Sequence, residues 1–216
     1  MVKKAILFVS MLFLLTLTAF AERERSKWFS FNKKDSLSEW EEKIFNNRVL
    51  YSVESYDTKG YLSAKSKGAA SGLIYRIKVD SRKLPLFSWS WRVLKFPQKD
   101  GSAPVVDKSG WVEKDDYAAR VYVIFHGLNF MNIKTLEYVW AETLPEGTIL
   151  TSPFFKNIKI VVVESGRNNG EWVFEERNIY DDYVKAFVRA PGAQVGAIAL
   201  MTDSDQTSPS TAHESV

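Results

Sequence analysis

Apolar and polar positions alternate with period two through most of the chain, a pattern that predicts strands rather than helices. Leu73, Tyr75, Ile77 and Val79 fall on one side of an extended segment, with Arg76, Lys78 and Asp80 on the other. Phe87, Trp89, Trp91 and Val93 alternate with Ser88, Ser90 and Arg92, and Val121, Val123 and Phe125 with Arg120, Tyr122 and Ile124. Further strands fit Leu136–Glu142, Ile158–Val163, Glu171–Glu176 and Val195–Thr202. Turn residues separate them at Gly101-Ser102, Pro145-Glu146-Gly147, Arg167-Asn168-Asn169-Gly170 and Pro191-Gly192. The Asn169-Gly170 pair predicts a hairpin between the strands that hold Val163 and Trp172. Helix is scarce. Ser36 to Glu39 reads as a capping box or as a turn entering a strand, and Ile179 to Phe187 has helical spacing with Asp181 and Asp182 near its start. Many strands with one or two short helices predict an all-β fold, a jelly-roll β-sandwich.

The first 21 residues break this pattern. Lys3 and Lys4 precede an apolar run from Ala5 to Leu15, and Ala19-Phe20-Ala21 supplies the small-x-small pattern of a signal-peptidase site. Residues 1–21 are therefore expected to be a signal peptide cut before Glu22, since a spanning helix wants about 20 apolar residues. Residues 22–27 read as a charged, flexible lead-in, 28–205 as a single domain without linker or repeat, and 206–216 as a polar tail. The expected location is the periplasm or the medium, with no membrane span after cleavage. Loss of the two lysines lowers Lys plus Arg from 29 to 27 against 26 acids, a formal charge of +1. Such a balance lacks the basic excess of a nucleic-acid binder, so that class is set aside. The chain has no cysteine, which removes disulfides and thiolate chemistry and leaves stability to burial. Seven Trp, nine Tyr and fourteen Phe supply the apolar area.

Trp89 and Trp91, two apart, project from one face, either into the core or as a platform for sugar rings. Phe87 and Val93 share that face, which favours core. Arg92, Arg120 and Tyr122 then fall on non-core faces. If their strands were neighbours, the two arginines would lie together with Asp115, Asp116 and Glu142 as acidic partners, forming a groove for a polar ligand. Asp203-Ser204-Asp205 has the alternate spacing of calcium loops or is a turn at a strand end, so Asp203 and Asp205 are candidate ligands for a structural calcium. The only histidines, His126 and His213, belong to no nucleophile elbow, zinc signature or phosphate-cradling loop.

Five ordered segments carry a resemblance. Ala64–Leu73, Trp89-Ser90-Trp91-Arg92-Val93, Asp115–Val123, Tyr138-Val139-Trp140-Ala141 and Met201–Thr207 together resemble the bacterial family of unknown function 3047, over about residues 28 to 207. The resemblance implies an exported bacterial protein with a sandwich similar to galactose-binding-like and carbohydrate-binding domains. It directs interest to Arg92, Asp115, Asp116, Arg120, Trp140, Asp203 and Asp205. Other members continue past this segment into a closing strand, whereas here Gln206–Val216 is rich in Ser and Thr. The expected function is a non-enzymatic ligand-binding domain for a polar sugar or envelope glycan, held by Arg92, Arg120 and Tyr122 with Trp140 stacking and Asp116 and Glu142 nearby. Alternatives are an envelope polysaccharide hydrolase or lyase using Asp116 with Asp203 or Glu142, and an envelope scaffold pairing through an exposed sheet edge.

Overall fold

Alternation assigns each strand one face for the core, and the strands sort into sheets by which cores those faces can share. The computed structural model describes residues 26–96, 117–127, 132–166, 168, 170–204 and 213–215. The expected signal peptide, Asp115, Asp116, Asp205 and the Gly101-Ser102 turn lie outside the described residues. The strands are β1 (Glu41–Asn46), β2 (Leu50–Tyr56), β3 (Lys59–Ser66), β4 (Ala70–Val79), β5 (Leu86–Trp91), β6 (Ala119–Phe125), β7 (Lys134–Ala141), β8 (Ile149–Thr151), β9 (Ile158–Ser165), β10 (Val173–Asn178), β11 (Val195–Asp203) and β12 (His213–Ser215). One large sheet runs β1-β4-β11-β6-β7-β9-β8, and two small sheets run β10-β5 and β12-β3-β2. All pairs are antiparallel except β7 with β9. The chain is thus the all-β sandwich of jelly-roll type that its pattern predicts.

The inner face of the large sheet carries Val121, Val123 and Phe125 from β6, Leu136, Tyr138 and Trp140 from β7, and Val161 and Val163 from β9. Against them pack Trp91, Val93 and, half-buried, Phe87 and Trp89 from the small sheet that holds β5. The indole of Trp89 meets Tyr138 at 5.4 Å and that of Trp91 meets Trp140 at 5.6 Å. The helix α1 (Ile179–Phe187) adds Ile179, Tyr183 and Ala186 to the same cluster. Asn178 caps it by accepting from the backbone N–H groups of Tyr180 and Asp181. Asp182 ties it down, accepting from the Tyr138 hydroxyl at 2.9 Å and from Arg177 at 2.7 and 2.9 Å.

Three expectations change. The Asn169-Gly170 loop does not close a hairpin: β9 pairs with β7 and β8, while β10 crosses to pair with β5. The reason is burial, since Val173 aligned with Trp91 places both side chains on the core side of the small sheet. At Ser36 the capping-box reading gives way to the turn: a 3-10 turn spans Lys34–Leu37, and β1 follows. The polar tail also contains a strand, because His213–Ser215 pairs with Ser66–Ala64 along the edge of β3. Ladder hydrogen bonds need no apolar side chains, so a polar edge strand leaves no hydrophobic trace.

Candidate functional site

The expected arginine groove does not form. Arg120 stands on β6 directly opposite Val139, on the outer face of the large sheet. There it is almost fully buried. Its Nη1 donates to Glu137 Oε1 at 2.6 Å, its Nε to Asp203 Oδ1 at 3.2 Å, and its Nη2 to Asp203 Oδ2. The Tyr117 ring covers the guanidinium at 4.9 Å. Tyr122 joins the cluster, donating to Glu137 at 3.1 Å, and burial pushes its hydroxyl pKa well up. Arg92 follows β5 in the second layer, with its guanidinium over Trp172 at 5.0 Å, Tyr56 at 5.3 Å and Tyr61 at 5.5 Å. Arg120 belongs to a strand of the large sheet, whereas Arg92 follows a strand of the small β10-β5 sheet. Alternation states which face of a strand a residue takes, but not which sheet the strand joins.

The remaining candidates are also redirected. Trp140 is completely buried, packed on Trp91 and Phe96, and donates from Nε1 to the Gly166 carbonyl at 2.8 Å, so it stacks on core rings and not on a ligand. Both carboxylate oxygens of Asp203 accept from Arg120, where calcium ligation would need them outward-facing. Among the described residues no group of three His, Asp or Glu is placed to hold a metal. Glu142 is half-buried just past the end of β7. His126 packs against Gly196, where an added Cβ would lie 2.2 Å from its Nε2.

What the structure assembles instead is a cleft between the two small sheets, with a volume of about 2460 Å³. Ile77, Val79, Val121, Val123, Ile198 and Leu200 of the large sheet form its floor. Phe87, Trp89 and Trp91 of β5 make one wall, and Tyr51, Tyr61 and Leu62 of β2 and β3 the other. The segment Lys27–Asn32 closes one end, with Phe29 against Trp40 at 5.4 Å and against Tyr75 at 4.8 Å. It crosses β3 at Gly60, where any Cβ would meet the Phe31 carbonyl oxygen at 1.9 Å. Polar groups interleave with these rings, namely Lys59, Lys78, Asp57, Asp80, Ser88 and Ser90. Trp28 and Trp172 stand exposed along it, and the buried Nε1 of Trp89 has no hydrogen-bond partner. No sequence signal placed Phe29, Phe31, Tyr51 or Trp172 here, because they come from three segments that only the sheet packing unites.

A carboxylate pair lies apart from the cleft. Glu175 of β10 aligns with Trp89 and points inward with it, buried, its Oε1 without a partner. Burial and then the neighbouring Glu164 push its pKa up to about 7, while Arg177 and the Trp91 indole N–H pull the other way. Glu164 is raised as well, by burial and then by Glu146.

Comparison with known proteins adds a family. The chain resembles a thermostable cellulase derived from the Cel12A cellulase of Rhodothermus marinus over 82% of its own length and 94% of that chain, at 9% identity and a TM-score of 0.46. No curated protein matches it. The family model described as protein of unknown function matches residues 38–213, so it reaches the closing strand β12. With that match covering most of its length, the chain belongs to the family of unknown function DUF3047.

Proposed function

We propose that this is an exported, non-enzymatic ligand-binding domain that takes a glycan chain of the bacterial envelope into the cleft between its two small sheets. The carrying observation is the cleft itself, in which aromatic faces alternate with hydroxyl and charged groups. A sugar ring has the matching character, with apolar C–H faces and a polar rim. The cleft exceeds the roughly 300–1,000 Å³ of small-molecule pockets, which favours an extended ligand of several rings. Phe87, Trp89 and Trp91 stand on β5 and are braced by neighbouring rings, so little ordering cost is left at that wall for binding. The ligand-holding role once expected of Arg120 and Trp140 passes to Trp28, Trp172 and Trp89. Residues 22–216 applied to an array of envelope glycans should retain at least one chain-like glycan. Trp172→Ala and Trp28→Ala should each weaken that binding by about tenfold or more. Retention of no glycan, or binding indifferent to both changes, rejects the reading.

A second reading, an envelope polysaccharide hydrolase or lyase, draws on the Glu164 and Glu175 pair. A carboxyl group whose pKa is raised to about 7 by burial and by a neighbouring carboxylate, as that of Glu175 is, holds a proton it can give to a leaving group. The same pair makes a stability prediction. A carboxyl group whose pKa rises from 4.5 to about 7 on folding favours the native state below pH 4.5, and that contribution is lost as pH rises through 7. Glu175→Gln should therefore leave stability at pH 4.5 nearly unchanged and raise it at pH 8 by about 2 kcal/mol, a value discounted for screening. Urea unfolding at the two pH values measures this. Hydrolysis of envelope glycan lost in the same variant would favour the enzyme over the binder.

A further inference from the structure

We propose that the end of the sandwich formed by the β8–β9 turn and the C-terminus of α1 docks on an anionic phospholipid surface. Four cations meet there. Lys134 Nζ lies over the Phe187 ring at 5.4 Å and Lys159 Nζ over the same ring at 6.0 Å. Lys156 and Arg189 lie close enough to Lys134 that, after burial, Arg189, Lys156 and Lys159 together hold its pKa below the usual lysine value. The hydrogen bonds of Lys134 to Asn157 and of Lys159 to Thr151, at 2.7 Å, go to neutral oxygens and leave the charge uncompensated by those partners.

Beside the cations stand exposed apolar side chains. Phe154 and Phe155, adjacent in the turn before Lys156, are 60% and 65% exposed. Val188, which precedes Arg189, is 90% exposed, and its φ of 55° is a conformation β-branched residues rarely take. Adjacent exposed phenylalanines in the turn that also carries Lys156 and Asn157, the partner of Lys134, have the chemistry of an interfacial anchor. The rings enter the boundary between headgroups and acyl chains while the ammonium groups meet phosphates. The formal charge of the whole chain is only +3, so attraction must come from this local cluster rather than from overall charge. An acidic protein or a soluble anionic glycan would answer the charge but would leave the phenylalanines in water.

The test is sedimentation of residues 22–216, which contain every described element, with vesicles of phosphatidylcholine alone or mixed with phosphatidylglycerol. Binding to the mixed vesicles should be at least about tenfold tighter and should weaken with added salt. Phe154→Ser with Phe155→Ser should reduce it about tenfold or more, and Lys156→Gln with Lys159→Gln by a similar factor, with circular dichroism unchanged because these side chains lie outside the core. Sedimentation with neither vesicle overturns the proposal, as does binding that ignores the phenylalanine pair. Retention on a soluble anionic polysaccharide without vesicle binding also overturns it. The glycan reading of the cleft is tested separately on the array and stands or falls independently.

Discussion

Replacing Arg120 by alanine is expected to lower the free energy of unfolding by about 3–5 kcal/mol, measured by urea denaturation near neutral pH. The guanidinium is 5% exposed and pairs with two similarly buried carboxylates, Glu137 and Asp203. Truncation leaves two buried carboxylates without the guanidinium that bridges them. The cost is that of stranding the partners, not the net worth of the ion pairs. Removing all three charges at once, with Arg120→Met, Glu137→Gln and Asp203→Asn, should therefore be milder than the single change. A loss below about 1 kcal/mol for Arg120→Ala would mean that the cluster is open to solvent as an ordinary surface pair is.

Trp140→Ala should cost about 3–5 kcal/mol by the same measurement. The indole has no exposed surface, and it fills the space between Trp91, at 5.6 Å, and Phe96, at 6.4 Å. Those rings are braced in turn, Trp91 by Trp89 at 5.5 Å, so the hole can close only by disturbing the wall of the cleft. Trp140→Phe keeps most of the volume and loses the hydrogen bond to Gly166, for about 1–2 kcal/mol. A tryptophan that stacked on ligand would behave in the reverse way, weakening binding while stability stayed near its starting value. Equal stability of Trp140→Ala and the parent chain would place the indole outside the core.

The strands of the large sheet were readable wherever burial covers one face evenly. Val121, Val123 and Phe125 alternate cleanly because a core lies on one side of β6. The helix was readable from Ile179, Tyr183 and Ala186, which line one stripe and are all buried. β1 to β3 left a poorer trace. Leu50 is 63% exposed and Tyr56 58%, so apolar residues there do not mark a core face. The exposed aromatics that make the cleft look, in a linear pattern, like noise on an edge strand. The error over Arg92 and Arg120 has the same root: both sit where alternation puts them, yet β5 and β6 are consecutive in sequence and lie in different sheets.

Local chemistry along the chain was enough to establish a strand-rich fold, the short helix over Ile179–Phe187, the absence of disulfides and the family to which the motifs belong. These follow from periods of two and 3.6 and from short-range hydrogen bonding, which neighbouring residues settle among themselves. Tertiary structure alone decided that Asp203, eighty-three positions away, neutralises Arg120. It also decided that β10 joins β5 and that rings from separate segments line one hollow. Such pairings depend on which buried faces can be matched across the whole molecule, a choice made by total burial and charge compensation rather than by any one stretch of chain.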